Sequence, residues 1–289
     1  MITVATWNIR AAIGPGPFPS AWWRRIDPDR LAQIADATGA LDADVVALQE
    51  VGVVTVDGAL IDLPAELARL TGLDGRYAAV GHFPLVEPET SRVAGSYLWG
   101  NAILTRHAIR SSRTIALPVG ADDDVVEPVE SGHPLAGIRF ADAEPGAREP
   151  RCALVCEVDL AGGPVTILST HLTHVGSGQR ALQAAELAAV IAACVGPFAL
   201  LGDLNAPIDD PALAPLVPRA DPLDPAGAPL VDAFAAVGVP AGDARRVTCD
   251  GVWPIDHVLV RGLTPVACRV VGEVGDLSDH WPVVAVLER

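Results

Sequence analysis

At 289 residues the chain is long enough to bury a sizeable core, and a two-sheet α/β fold of this length fits in one domain, 1–289. Half the residues are hydrophobic but only 4% are aromatic, so the core is built mainly from Ala, Val, Leu and Ile. Its 20 basic residues are all Arg and face 36 acidic ones, a formal charge of -16 that counts against tight, nonspecific binding along a long polyanion. A local basic cleft, or a metal ion supplying its own positive charge, is not excluded.

The first residues, MITVATWNIR, alternate as a strand does, without a charged leader followed by an apolar segment. The longest nearly apolar stretch, Leu187 to Gly202, is interrupted by Gly196 and Pro197 and falls short of the roughly 20 residues a membrane span needs. Cys152, Cys156, Cys194, Cys249 and Cys268 form no C-x-x-C pair and are odd in number, which points to reduced thiols and a cytoplasmic location. Nothing implies a protein partner.

Alternating or β-rich runs predict strands at Ile2–Asn8, Val45–Gln49, Asn101–Thr105, Ala153–Asp159, Val165–Thr170, Phe198–Asp203, Ile255–Val260 and Pro282–Leu287. A helix is predicted from about Pro28, capped by Asp27, with Leu31, Ile34, Ala35, Thr38 and Leu41 at helical spacing. A second, from about Gln179 to Val195, presents Leu187, Val190, Ile191 and Cys194 on one side. Pro, Gly and Asp make Ile13–Ile26, Pro118–Pro150 and Ala206–Pro229 irregular, and these read as loops on one scaffold.

Several strands end or begin on a polar group. Asn8, Glu50, His171, Asp203 and Asn205 follow apolar runs, whereas Asp256 and the Asp279–His280 pair stand where strands begin. In a mixed sheet the ends of some strands and the starts of others share one edge, so these residues can meet. Hard cations such as Mg²⁺ prefer oxygen ligands, and phosphoester cleavage needs charge neutralisation and an activated water. Glu50 and Asp279 are the best metal ligands. Asn8 and Asn205 offer amides that bind metal or phosphate without added negative charge. Asp256 is the candidate carboxylate that fixes the tautomer of His280.

The motifs TWNIR around Asn8, ALQE ending at Glu50, GNAILTR around Asn101, STHL at His171, GDLNA at Asp203 and Asn205, PIDHVLV at Asp256 and LSDHWPV at His280 together resemble the endonuclease/exonuclease/phosphatase superfamily, which includes pancreatic-type deoxyribonucleases and abasic-site endonucleases. The resemblance spans nearly the whole chain. It implies an α/β fold: two mixed β-sheets packed as a sandwich and flanked by helices, four layers in all. It further implies Mg²⁺ or Mn²⁺ at Glu50 with Asn8 and Asp279, and His280 as catalytic histidine with Asp256 as its orienter. Asp203 and Asn205 would position or activate water and hold phosphate, with His171 on the scissile phosphate and Asn101 and Arg151 as further phosphate contacts. Arg10 stands where abasic-site endonucleases carry an additional acidic metal ligand, which weakens that reading.

Other features have plainer readings. Trp22–Trp23–Arg24–Arg25 either stack on a base or pack as indoles at the start of a helix; Asp122–Asp124 read as a solvated loop; His82, His107, His133 and His257 read as structural, and His174 lies near the proposed site. The leading expectation is a metal-dependent phosphodiesterase, with polynucleotide the first substrate class to test. The alternatives are a phosphomonoesterase or head-group phosphodiesterase on small anionic substrates, and an inactive binding protein of the same fold.

Overall fold

In chain order the elements are β1 (Ile2–Asn8), α1 (Pro28–Ala40), β2 (Val45–Val56), β3 (Ala59–Asp62), α2 (Leu63–Thr71), β4 (Asp74–Val86), β5 (Val93–Thr105), β6 (Ile109–Ala116), β7 (Cys152–Leu160), β8 (Gly163–His171), α3 (Ser177–Ala192), β9 (Phe198–Asp203), β10 (Val231–Asp232), α4 (Ala233–Ala236), β11 (Asp256–Arg261), β12 (Thr264–Val270) and β13 (Val283–Glu288). They come from a computed structural model, which describes residues 1–17, 19–119, 150–174, 176–217 and 230–289. Asp122–Asp124, His133 and the side chain of His82 lie outside the described residues.

The strands form a seven-stranded sheet, ordered β12-β13-β1-β2-β5-β4 with β3 on β2, and a six-stranded sheet, ordered β10-β11-β9-β8-β7-β6. Both are mixed: β1 runs parallel to β2 and β8 parallel to β9, while the other pairings are antiparallel. Alternation along the strands explains the layers. One face of each sheet meets in a shared core holding Val4, Val45, Ile103, Leu154, Ile167, Leu201, Val258 and Val283. The outer face of the first sheet, with Trp7 and Leu48, packs against Ile34 of α1 and Leu67 of α2. The outer face of the second, with Leu168 and Leu200, packs against Leu187 and Ile191 of α3. Helix, sheet, sheet and helix make the four-layer sandwich.

All eight strand segments read from sequence overlap strands, β1 and β9 with the same bounds; β11 and β13 are each shifted one residue later, and β2 and β5 run well past theirs. Asp27 does cap α1, accepting from Asp29 N, an interaction of about 1 kcal/mol. β3, β4, β6, β10, β12, α2 and α4 were not signalled. β6, Ile-Arg-Ser-Ser-Arg-Thr-Ile-Ala, is mostly exposed at a sheet edge and carries no apolar alternation to detect. Trp22 and Trp23 are buried in the outer core of the first sheet, which favours the packing reading over base stacking. His257 is buried with its ring nitrogen 2.8 Å from Ala206 O, and His107 meets Asp44 at 2.9 Å, both structural roles. Among the described residues no helix is long and apolar enough to cross a membrane.

Candidate active site

Strand register brings the polar residues to one edge. Asp256 lies opposite Asp203 in the antiparallel pair, and His171 lies beside Asp203 in the parallel pair. Across the first sheet, Asn8 pairs beside Gln49, and Gln49 lies opposite Asn101. Arg151 immediately precedes β7, and Asp279 and His280 precede β13, so both reach the same edge. Gly202 matters here, because a Cβ at that position would collide with Thr170 O, and β9 could not lie so close beneath His171.

Two local irregularities aim further side chains. Glu50 is the extra residue of a β-bulge between Gln49 and Val51, with φ at 53°, which turns it out of the ladder. Arg10, Ala11 and Ala12 all take left-handed φ, at 47°, 46° and 58°. For residues with a Cβ such conformations cost of order 1–3 kcal/mol each, and surrounding contacts must hold them. At Arg10 these are its N–H to Asn8 Oδ1 at 3.0 Å, its NH1 to Gly14 O at 2.9 Å and its Nε 3.2 Å from Asp279 Oδ2.

A continuous polar chain follows. Asn8 Nδ2 donates to Glu50 Oε1 and to Asp203 Oδ2, both at 3.0 Å. Asp203 Oδ2 is 3.8 Å from His280 Nε2, and His280 Nδ1 is 2.8 Å from Asp256 Oδ2. The His280 backbone is pinned by Trp7 Nε1, which donates to His280 O at 2.9 Å, and by its own N–H to Ser278 Oγ at 3.3 Å. Burial works to lower the imidazole pKa, but Asp256, Cys249 and Asp203 hold it well above its ordinary value. Burial and then the Asp256 charge push Asp203 up to about 7, against His280 and the hydrogen bonds from Asn8 and Asn205. The pair is a cationic donor beside a carboxylate that can accept a proton near neutrality.

His171 and Asn205 form a second unit. Asn205 Nδ2 donates to Leu172 O and meets His171 Nε2, each at 2.9 Å, while Asn205 N donates to Asp203 Oδ1 at 2.9 Å. With the amide so oriented, Nε2 of His171 is an acceptor and its ring proton sits on Nδ1. Next to His171 is a narrow cleft lined also by Val80, Trp99, Asn101, Arg151 and Cys152. Arg151 NH2 lies 3.5 Å from His174 Nδ1, so His174 does border the site. The sequence reading passed over Trp99, which stands two residues before Asn101 on the same face of β5; strand periodicity carried that signal.

Among the described residues of the site, two groups have donors suited to a metal ion. Asp203, Asp256 and His280 bring one ligand atom each within 4.8 Å of one another. In that group Nδ1 of His280 is already committed to Asp256. Glu50 and Asp279 offer oxygen donors only, and burial followed by the Asp279 charge raises the pKa of Glu50. Two partly buried carboxylates that repel one another fit a hard divalent cation. As placed, Asn8 turns its Nδ2 to the carboxylates and its Oδ1 to Arg10 N, so it supports Glu50 through a hydrogen bond.

The sequence matches the model of the Endonuclease/Exonuclease/phosphatase family over residues 5–280. The chain belongs to this family. Membership supports a hydrolase acting on phosphoester bonds. Among solved structures, the endonuclease/exonuclease/phosphatase from Beutenbergia cavernae DSM 12333 matches over 99% of this chain and 71% of its own, with TM-score 0.62 and 23% identity. The human nocturnin catalytic domain with bound sulfate matches over 99% and 94%, with TM-score 0.65 and 18% identity. A mannosyl-6-phosphatase of Bacteroides thetaiotaomicron VPI-5482 matches over 100% of both chains, with TM-score 0.62 and 16% identity. Likenesses at these identities are likenesses of fold. Sequence comparison with curated proteins finds no match.

Proposed function

We propose that this family member is a divalent-metal-dependent phosphodiesterase, built as one catalytic domain. The observation that carries the reading is the polar chain Glu50–Asn8–Asp203–His280–Asp256, assembled from distant segments at one sheet edge. Glu50 and Asp279 would hold Mg²⁺ or Mn²⁺. When bound, the cation supplies positive charge against the phosphoryl oxygens.

The chain's own residues do the rest. Asp203, poised at about 7, takes a proton from water as the water oxygen bonds to phosphorus. His280, kept cationic by Asp256, donates a hydrogen bond from Nε2 to the phosphoryl oxygen on which charge accumulates. The ester P–O bond then breaks, its electron pair staying on the leaving oxygen, which takes a proton from solvent water and departs as the alcohol. Asn205 and His171 orient the phosphate, and Arg151 adds a cation.

The charge of -16 favours a second reading within the same chemistry, in which the substrates are small anionic phosphoesters rather than long nucleic acid. All five cysteines are free, which supports a reducing compartment such as the cytoplasm. The test is a metal-by-substrate screen of wild type beside His280→Ala, covering DNA, RNA, nucleotides, sugar phosphates, inositol phosphates and phospholipids. Metal-dependent turnover of at least one class, lost in the variant, supports the reading; turnover of none sinks it.

A further inference from the structure

Toward the active edge, the inward-facing positions of the strands turn from apolar to polar. Along β1 they run Val4, Thr6, Asn8, and along β8 they run Ile167, Ser169, His171. Four of these inward polar residues, Thr6, Gln49, Asn101 and Ser169, carry no charge and are no more than 2% exposed. Burying neutral polar groups in an otherwise aliphatic core is unfavourable unless each is hydrogen-bonded.

Their hydrogen bonds run from one sheet to the other. Thr6 Oγ1 donates to Gln49 Oε1 at 3.1 Å within the first sheet, which fixes the way the amide points. Gln49 Nε2 then faces the second sheet and donates to Ser169 Oγ of β8 at 3.3 Å. Asn101, opposite Gln49 in the β2–β5 pair, makes a second crossing, with Nδ2 donating to Cys152 O of β7 at 2.9 Å.

The candidate site is split along the same line. Asn8, Glu50 and the Asp279–His280 segment belong to the first sheet, and His171, Asp203 and Asp256 to the second. The halves join where Asn8 Nδ2 donates to Asp203 Oδ2 at 3.0 Å and His280 Nδ1 meets Asp256 Oδ2 at 2.8 Å. Glu50 directly follows Gln49, so an amide anchored on the second sheet holds the backbone from which that carboxylate projects. The rest of the contact between the sheets is aliphatic, with Val45, Ile103, Leu154 and Leu201. Apolar contacts are non-directional and accept closely similar packings at nearly equal energy. Hydrogen bonds with fixed donors and acceptors select one of them. An offset of about 1 Å between reacting groups costs on the order of 10²-fold in rate.

We infer that Gln49 is a positioning residue, with Asn101 as its second: it locks the sheets in the register at which Glu50 and Asp279 face Asp203 and the phosphate. The inference rests on the hydrolase reading above and adds to it a tie buried behind the reacting groups. It gives Asn101 this duty in place of the phosphate contact expected from sequence.

The experiment removes both ends of the Gln49 crossing at once, Gln49→Met together with Ser169→Ala, a replacement that is close to neutral for stability. Turnover of bis-p-nitrophenyl phosphate should fall roughly 10–100-fold in kcat, with KM little changed. Mn²⁺ affinity, read by electron paramagnetic resonance on chelator-stripped protein, should stay within about twofold, because Glu50 and Asp279 both belong to the first sheet. Tm should move by no more than about 4 °C. Ser169→Ala alone should lower kcat by a smaller factor, and decides the matter if the double variant does not fold. Unchanged kcat in the folded variants overturns the positioning role. So does a parallel loss of kcat, Mn²⁺ affinity and Tm, which marks a general weakening of the fold. If wild type itself turns over no phosphoester with Mg²⁺ or Mn²⁺, the hydrolase reading fails and the positioning role fails with it.

Discussion

Arg10 Nε lies 3.2 Å from Asp279 Oδ2, so a guanidinium is built into the acidic cluster that also contains Glu50. The ion pair is mostly shielded from solvent, with side-chain exposures of 8% and 16%. Removing one partner of a shielded pair strands the other charge. Arg10→Gln is expected to lower the stability of metal-free protein by about 2–3 kcal/mol, the lower end because Asp279 keeps some solvent contact. Added Mg²⁺ should shrink that loss, since a cation then takes over the Asp279 charge. Thermal melts with and without Mg²⁺ check this; a loss of equal size in both would contradict it.

Asp256 meets His280 at Nδ1, and its charge also raises the pKa of Asp203, so its replacement tests the orienter together with that charge. Asp256→Asn should lower kcat by roughly 10²–10⁴ with little change in KM, because the imidazole loses both its tautomer control and its charge partner. The alkaline limb of the pH profile should move to lower pH. A variant with unchanged kcat and profile would remove Asp256 from the account.

The acid limb of kcat/KM should fall near pH 7, where Asp203 must shed its proton, and the alkaline limb should lie above the ordinary histidine value, where His280 loses its own. Both limbs belong to a coupled group rather than to single residues. Stability follows the same shift. Asp203 is raised from 3.8 to about 7, so the folded chain keeps a proton that the unfolded chain releases. Its contribution is complete below 3.8 and is lost as pH rises to about 7. Metal-free Asp203→Asn should therefore gain on wild type across that window when melts are compared pH by pH. A constant difference would argue against the raised value.

The strands that carry motifs were legible because each couples an apolar run to a polar terminus, as Phe198–Asp203 does. The aim of Glu50 was not, because a bulge depends on the register of β2 against β5 and leaves no mark in ALQEV. The pairing of Arg10 with Asp279 joins opposite ends of the chain, and sequence showed only an acid missing at position 10. Asn101 was legible as a polar residue at the edge, but its amide is engaged by Cys152 O, a contact from the other sheet.

Away from the site, Arg246 and Asp232 form a buried pair at 2.8 Å, and the guanidinium lies 5.0 Å from the centre of the Phe234 ring. Arg246→Leu should destabilise the fold by about 3 kcal/mol through the stranded Asp232, while kcat of the folded fraction stays the same. Denaturant unfolding beside a single-turnover assay separates the two; a large fall in kcat at full folding would mean that the pair reaches the centre.

The central claim is that Glu50 anchors a divalent cation required for phosphoester cleavage. Protein stripped with chelator and then titrated with Mn²⁺ tests it, with bound metal followed by electron paramagnetic resonance and hydrolysis of bis-p-nitrophenyl phosphate read in parallel, for wild type and Glu50→Gln. The account predicts that wild-type turnover is absent without metal and rises with bound Mn²⁺, and that Glu50→Gln loses both together. Full turnover in stripped protein, or undiminished binding and turnover in Glu50→Gln, would contradict it.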